Sequence, residues 1–145
     1  MLEDDRFTVD RVAHEIRLTR RIAATPARLY DAWTTPEDIA RWWDPTGVPL
    51  AEAVVDPVPG GTLRLTHASG HSFDARFTWL DRPHGFGWSA MGAESRVTFT
   101  PAGEVTEMVV LIACGSAEGL ERFLSMGIAQ GTAVTLGNLE RYLTA

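Results

Sequence analysis

Residues 72–80 read Ser72-Phe73-Asp74-Ala75-Arg76-Phe77-Thr78-Trp79-Leu80. Phe73, Ala75, Phe77 and Trp79 share one parity, while Asp74, Arg76 and Thr78 share the other. Successive side chains of a strand point to opposite faces, so this alternation predicts a strand with one dry and one wet face. Ser69-Gly70, just before it, is a hairpin-turn signal. The preceding segment Thr62–His67 alternates in the same way, with Leu63 and Leu65 opposing Thr62, Arg64 and Thr66. Two adjacent, oppositely directed strands with apolar faces call for a larger sheet and for something to cover it.

Outward from this hairpin the chain supplies both. Ala51–Asp56 is a short strand candidate ended by Pro57, Pro59 and the Gly60-Gly61 turn. After the turn Asp81–Gly85, a further strand begins with Phe86, Trp88 and Ala90. Ser95–Thr100 puts Val97 and Phe99 together, and Val105–Cys114 puts Met108, Val110, Ile112 and Cys114 together. Near the N-terminus, His14–Ile22 alternates Ile16 and Leu18 against Glu15, Arg17 and Thr19. Thr25-Pro26 then opens a short helix, with threonine as cap and proline at the first helical position. Thr35-Pro36-Glu37-Asp38 opens a second, its acids favoured at the positive end of the helix dipole. This helix carries Ile39, Trp42 and Trp43 and stops at Pro45 and Gly47.

The segment Ala117–Leu143 contains no proline and reads as a helix of about 27 residues, roughly 40 Å long. Its early apolar stripe is Leu120, Phe123, Leu124 and Gly127; its later one is Leu136, Leu139 and Leu143. The stripes lie about 100–140° apart on a straight helix. Gly127 and Gly131 fall between them, so a bend or local unwinding there would let both face one sheet. The expected architecture is α+β: six to seven antiparallel strands curved around a long C-terminal helix, with two short helices after the first strand. Residues 1–145 are the size of one domain, with 1–12 as an N-terminal extension.

Composition narrows the function. Thirteen Lys and Arg stand against nineteen Asp and Glu, a formal net charge of -6, and no basic run appears. Nucleic acid and anionic membrane surfaces are therefore poor partners. The lone cysteine, Cys114, excludes an internal disulfide and reads as a small buried hydrophobe. The acidic start lacks the apolar run of a leader, and no stretch has the roughly 18 apolar residues of a membrane span. A cytoplasmic protein is the expectation.

Several motifs resemble one family. Thr25-Pro26, Leu29-Tyr30-Asp31-Ala32-Trp33-Thr34, Pro36-Glu37 and Arg41-Trp42-Trp43-Asp44-Pro45 are similar to bacterial activator-of-heat-shock-protein-ATPase homologues. So are the turn Asp56-Pro57-Val58-Pro59-Gly60-Gly61, the strand Ser95-Arg96-Val97-Thr98-Phe99 and the helix Gly127–Leu143. The resemblance covers all but about a dozen N-terminal residues. It implies the START-like, SRPBCC or Bet v-like helix-grip fold, related to polyketide cyclases. The chain departs from the family at Asp44, where glycine is common, and at Thr132, where tryptophan is frequent. The second change should enlarge or polarise the interior.

The expected site is a cavity between sheet and helix that takes a small apolar or aromatic molecule. Phe73, Phe77, Trp79, Trp88, Val110 and Ile112 would line its concave wall, with Leu65 and Met108 on the same faces. Gly127, Gly131 and Thr132 would face them with little volume, and tight packing elsewhere makes such small residues a source of space. Trp42 and Trp43 would close one end, either both as a lid or with one ring in the core. An enzyme of cyclase or hydrolase type needs an inward ionisable group, for which Glu107, Arg96, Asp74 and His67 are the candidates. Arg64, Asp74 and Arg76 are expected as an outer ion-pair ladder. His67, His71 and His84 lie in turns without the converging ligands of a metal site. The sequence calls for no cofactor, and no Ser-His-Asp order, phosphate loop or paired carboxylates emerge. A protein-interaction role like that of the chaperone activator is the third reading. A homodimer is open to such a domain, although no stripe marks an interface.

Overall fold

The computed structural model describes residues 6–144. Eight strands form one antiparallel sheet: β1 (Thr8–Asp10), β2 (Glu15–Ile22), β3 (Glu52–Val55), β4 (Thr62–Thr66), β5 (Ser72–Asp81), β6 (Gly85–Ala90), β7 (Ala93–Ala102) and β8 (Val105–Ala113). Their order is β1-β2-β8-β7-β6-β5-β4-β3, so the first long strand pairs with the last. Between β2 and β3 lie α1 (Pro26–Thr34) and α2 (Pro36–Trp42); after β8 come α3 (Ala117–Ser125) and α4 (Ile128–Thr144). The sheet has one strand more than the upper expectation. The addition is β1, which falls within the N-terminal extension and pairs with β2 from Thr8 opposite Arg17 to Asp10 opposite Glu15. Three residues with one half-buried side chain leave no alternation to read.

Both short helices start at their expected prolines, and only the first has a side-chain cap. Thr25 accepts a hydrogen bond from the Arg28 amide at 3.1 Å, and Pro26 and Pro36 stand at the helix starts. The long C-terminal helix is interrupted, as the two stripes require. Gly127 has φ +73°, and its amide donates to the Leu124 carbonyl at 3.1 Å while that of Met126 donates to Arg122 at 3.0 Å. A left-handed residue at this point ends α3 and redirects the chain. Leu120 and Phe123 of α3 and Leu136 and Leu139 of α4 are all buried. Both pieces thus cover one concave sheet.

One strand breaks its own period. Phe77 pairs with Trp88, but the next pair is Trp79 with Gly87, and then Leu80 with Phe86. Thr78 is the extra residue of a β-bulge, and beyond it the alternation is inverted. Trp79 therefore lies on the convex face, not in the apolar interior where strict alternation puts it, and Leu80 takes the inward position. The two glycines at outward positions of β6 make room. A Cβ on Gly85 would lie 3.1 Å from the Trp79 ring, and the Arg96 guanidinium sits 4.6 Å above that ring. The outer ladder is also only partly formed: Arg64 Nε meets Asp74 at 2.7 Å, while Arg76 donates to the Gly60 carbonyl.

Candidate functional site

A cavity of about 320 Å³ lies between the concave sheet and the C-terminal helices. Phe73, Trp88, Val97, Val110 and Ile112 form the sheet wall. Phe123, Ile128, Gly131, Thr132 and Thr135 face them from α3 and α4, with Gly127 at the break between the helices. Trp33, Trp43 and Pro45 close one side, and Ala90, Met91 and Ser95 of the β6–β7 hairpin another. No lining residue has an ionisable side chain. Gly131 explains much of the space: a Cβ there would meet nothing within 4 Å. The aromatic rings are mutually braced, with Trp43 5.2 Å from Phe73, and Trp88 5.9 Å from each of Trp33, Trp43 and Phe73. Mostly tilted and edge-on, these rings pack against one another in arrangements that aromatic pairs favour.

Eight residues expected around the space are brought together there: Trp43, Phe73, Trp88, Val110 and Ile112, with Gly127, Gly131 and Thr132. Five are not. Trp42 is 1% exposed and turned into the core, its Nε1 donating to the Ala32 carbonyl at 3.0 Å. Phe77 and Met108 are fully enclosed core side chains away from the cavity. Leu65 is buried and borders only the groove outside the cavity mouth. Trp79 is removed by the bulge. Sequence reasoning missed Ser95 and Thr135 as lining residues, although Ser95 shares parity with Val97 and Phe99. It also read Trp33 only as part of a helical stripe.

Three of the four ionisable candidates point away from the cavity. Glu107 lies opposite Arg21 on the convex face, 3.7 Å from its guanidinium. Arg96 covers Trp79, and Asp74 pairs with Arg64. Alternation with the inward Met108, Val97 and Phe73 dictates all three. Cys114 is buried, and that burial pushes its thiol up, keeping it protonated and unreactive. Among the described residues, no three His, Cys, Asp or Glu side chains gather to hold a metal ion.

His67, the fourth, lines the groove outside the cavity and not the cavity itself. Its Nε2 lies 2.8 Å from Oδ2 of Asp44, a carboxylate only 5% exposed. The Ser69 amide lies 2.9 Å from Nδ1 and can only donate, so Nδ1 accepts and Nε2 carries the proton given to Asp44. Thr46 supplies Asp44 with two further donors, its amide at 2.8 Å and its hydroxyl at 2.7 Å. Asn138 of α4 donates to the Asp44 carbonyl at 3.0 Å. The segment carrying Trp43 and Pro45 is thus tied to the β4–β5 hairpin and to α4. Removing the imidazole with His67→Ala should cost about 1–3 kcal/mol, because a buried carboxylate loses a donor. Urea unfolding of the two proteins at neutral pH measures it.

A curved antiparallel sheet gripping a C-terminal helix, with an apolar cavity between them, defines a helix-grip protein of the START-like (SRPBCC) class. Within that class, the chain belongs to the activator of Hsp90 ATPase homolog 1-like family, whose model matches residues 23–144. Solved structures agree in fold. A Mycobacterium smegmatis protein superposes with a TM-score of 0.79 at 24% identity, over 95% of this chain and 96% of its own. An Arthrobacter aurescens protein gives 0.81 at 17% identity, covering 95% and 90%. The Colwellia psychrerythraea Aha1 dimer gives 0.70 at 19% identity, covering 87% and 92%. No curated protein sequence matches the chain. No helix among the described residues is long and apolar enough to cross a membrane.

Proposed function

We propose that the protein binds a small, largely apolar molecule, with an aromatic part, in the cavity between its sheet and C-terminal helices. The observation that carries this reading is a space of about 320 Å³ walled by braced aromatic rings and free of ionisable side chains. Small-molecule sites are commonly concave, mostly apolar and already formed, and begin near about 300 Å³. Trp43, Phe73 and Trp88 supply flat contact area, and Val110, Ile112, Gly127, Gly131 and Thr132 shape the remainder. The free buried thiol of Cys114 suits a reducing compartment such as the cytoplasm.

Native mass spectrometry of the protein, purified gently from the organism that makes it, tests this. The expected spectrum contains a species heavier than the 15.9 kDa chain by one small molecule. Denaturation then releases the molecule for identification. The same spectrum reads whether the protein is a homodimer. If the protein arrives empty and also binds no member of a library of neutral aromatic compounds, the binding reading fails.

A further inference from the structure

The polar atoms around the cavity are not equivalent. On the helix side, Thr132 Oγ1 donates to the Ile128 carbonyl at 2.7 Å and Thr135 Oγ1 donates to the Thr132 carbonyl at 2.8 Å. Each hydroxyl proton is committed within α4, so these side chains offer only lone pairs. Across the cavity the situation is reversed. Trp33 is 2% exposed, and its Nε1 is the one buried side-chain nitrogen or oxygen without a hydrogen-bond partner among the described residues. Ser95 Oγ has no partner among the described residues either. Both flank Trp88: the Trp33 ring is 5.9 Å from it, and Ser95 is its register partner on β7.

An indole N–H can only donate. Leaving such a donor buried and unpaired costs about 1–3 kcal/mol, so natural chains rarely do it without a reason. The neighbouring Trp42 shows that this same region can satisfy an indole, through the Ala32 carbonyl. Trp33 differs in lining the cavity. Charge is the second constraint. With no ionisable lining residue, a charged ligand group would lose its hydration without gaining a counter-charge.

From this we infer that the cavity selects neutral ligands carrying a hydrogen-bond-accepting oxygen, of the ketone, ester or ether kind, which accepts the Trp33 Nε1 proton with Ser95 as second donor. The inference rests on the proposed cavity binding and refines it. An apolar molecule without an acceptor fills the same space but leaves the indole unpaired. A carboxylate offers an acceptor but brings a charge the walls do not balance.

Three diphenyl probes of similar shape separate these cases: benzophenone has a carbonyl, diphenylmethane has none, and diphenylacetate has a charged one. Each is titrated into the full, ¹⁵N-labelled chain while the indole N–H signals are followed by NMR. The Trp33 signal is identified as the one missing from Trp33→Phe. Benzophenone should move the Trp33 indole proton downfield and bind about tenfold more tightly than diphenylmethane, the gain from pairing a buried donor. Diphenylacetate should bind more weakly than either. In Ser95→Ala the preference for benzophenone should shrink. Should Trp33→Phe fail to fold, sequential assignment of the wild type identifies the signal, and the probe comparison is unaffected. Equal binding of benzophenone and diphenylmethane, with no separate movement of the Trp33 proton, overturns the acceptor inference but leaves cavity binding intact. Tight binding of diphenylacetate overturns the selection for neutrality. If no probe disturbs the Trp33, Trp43 or Trp88 indole signals, cavity binding itself falls and this inference with it.

Discussion

Trp42→Ala is expected to lose about 3–5 kcal/mol of folding stability, the usual cost of truncating a large core aromatic. In a chain of 145 residues that lowers the melting temperature by on the order of 10 °C. The indole is fully enclosed, touches the Trp33 ring edge-on at 4.7 Å, and bonds the Ala32 carbonyl. Its removal leaves a void and an unpaired carbonyl at the junction of α1 and α2. Trp43→Ala should behave differently. That ring is half-buried and faces the cavity, so its loss should cost no more than about 2 kcal/mol. It should weaken a cavity-bound aromatic probe about tenfold, as removal of an anchoring aromatic does. Thermal melts of both variants, with probe titrations of Trp43→Ala, measure the contrast. A small loss for Trp42 or a large one for Trp43 would contradict this division of labour.

Gly131→Leu should give a protein that melts higher than the wild type and no longer takes up the diphenyl probes. Glycine inside a helix costs about 1 kcal/mol relative to alanine, and leucine is nearly as good a helix former. The added side chain enters open space and buries apolar surface where a ligand would sit. Gly127→Ala should have the opposite sign for stability despite equally open surroundings. There φ is +73°, which a side chain makes strained by about 1 kcal/mol. Two glycines four residues apart thus serve different ends: Gly127 turns the helix, and Gly131 leaves room beside it. Melting temperatures of both variants test the signs. Persistent probe binding in Gly131→Leu would move the ligand site elsewhere.

Much of this architecture is legible in the residue string because the signals are local. Period-two runs mark β2, β5 and β8; Thr25, Pro26 and Pro36 mark helix starts; the two stripes around Gly127 imply the break. What is hidden depends on partners far along the chain. The period of residues 72–80 contains no sign that Thr78 is an extra residue. Its clue lies in β6, where Gly85 and Gly87 occupy two successive outward positions and need something bulky over them. Asp44 stands out in sequence only as a departure from the family pattern. Its meaning needs His67 and Asn138, which folding brings to it from 23 and 94 residues away. Likewise, Trp33 and Trp42 look alike in a helical stripe. Only the packed structure reveals that one indole is satisfied and the other is not.

The bulge at Thr78 divides β5 into two stretches of opposite phase. Up to Phe77, odd-numbered positions belong to the interior; from Leu80 onward, even-numbered ones do. An alignment with a relative lacking the extra residue must open a one-residue gap here. Without that gap, every later position in the strand is compared with one on the other side of the sheet. A library built from such an alignment would then vary the exterior when it meant to vary the interior.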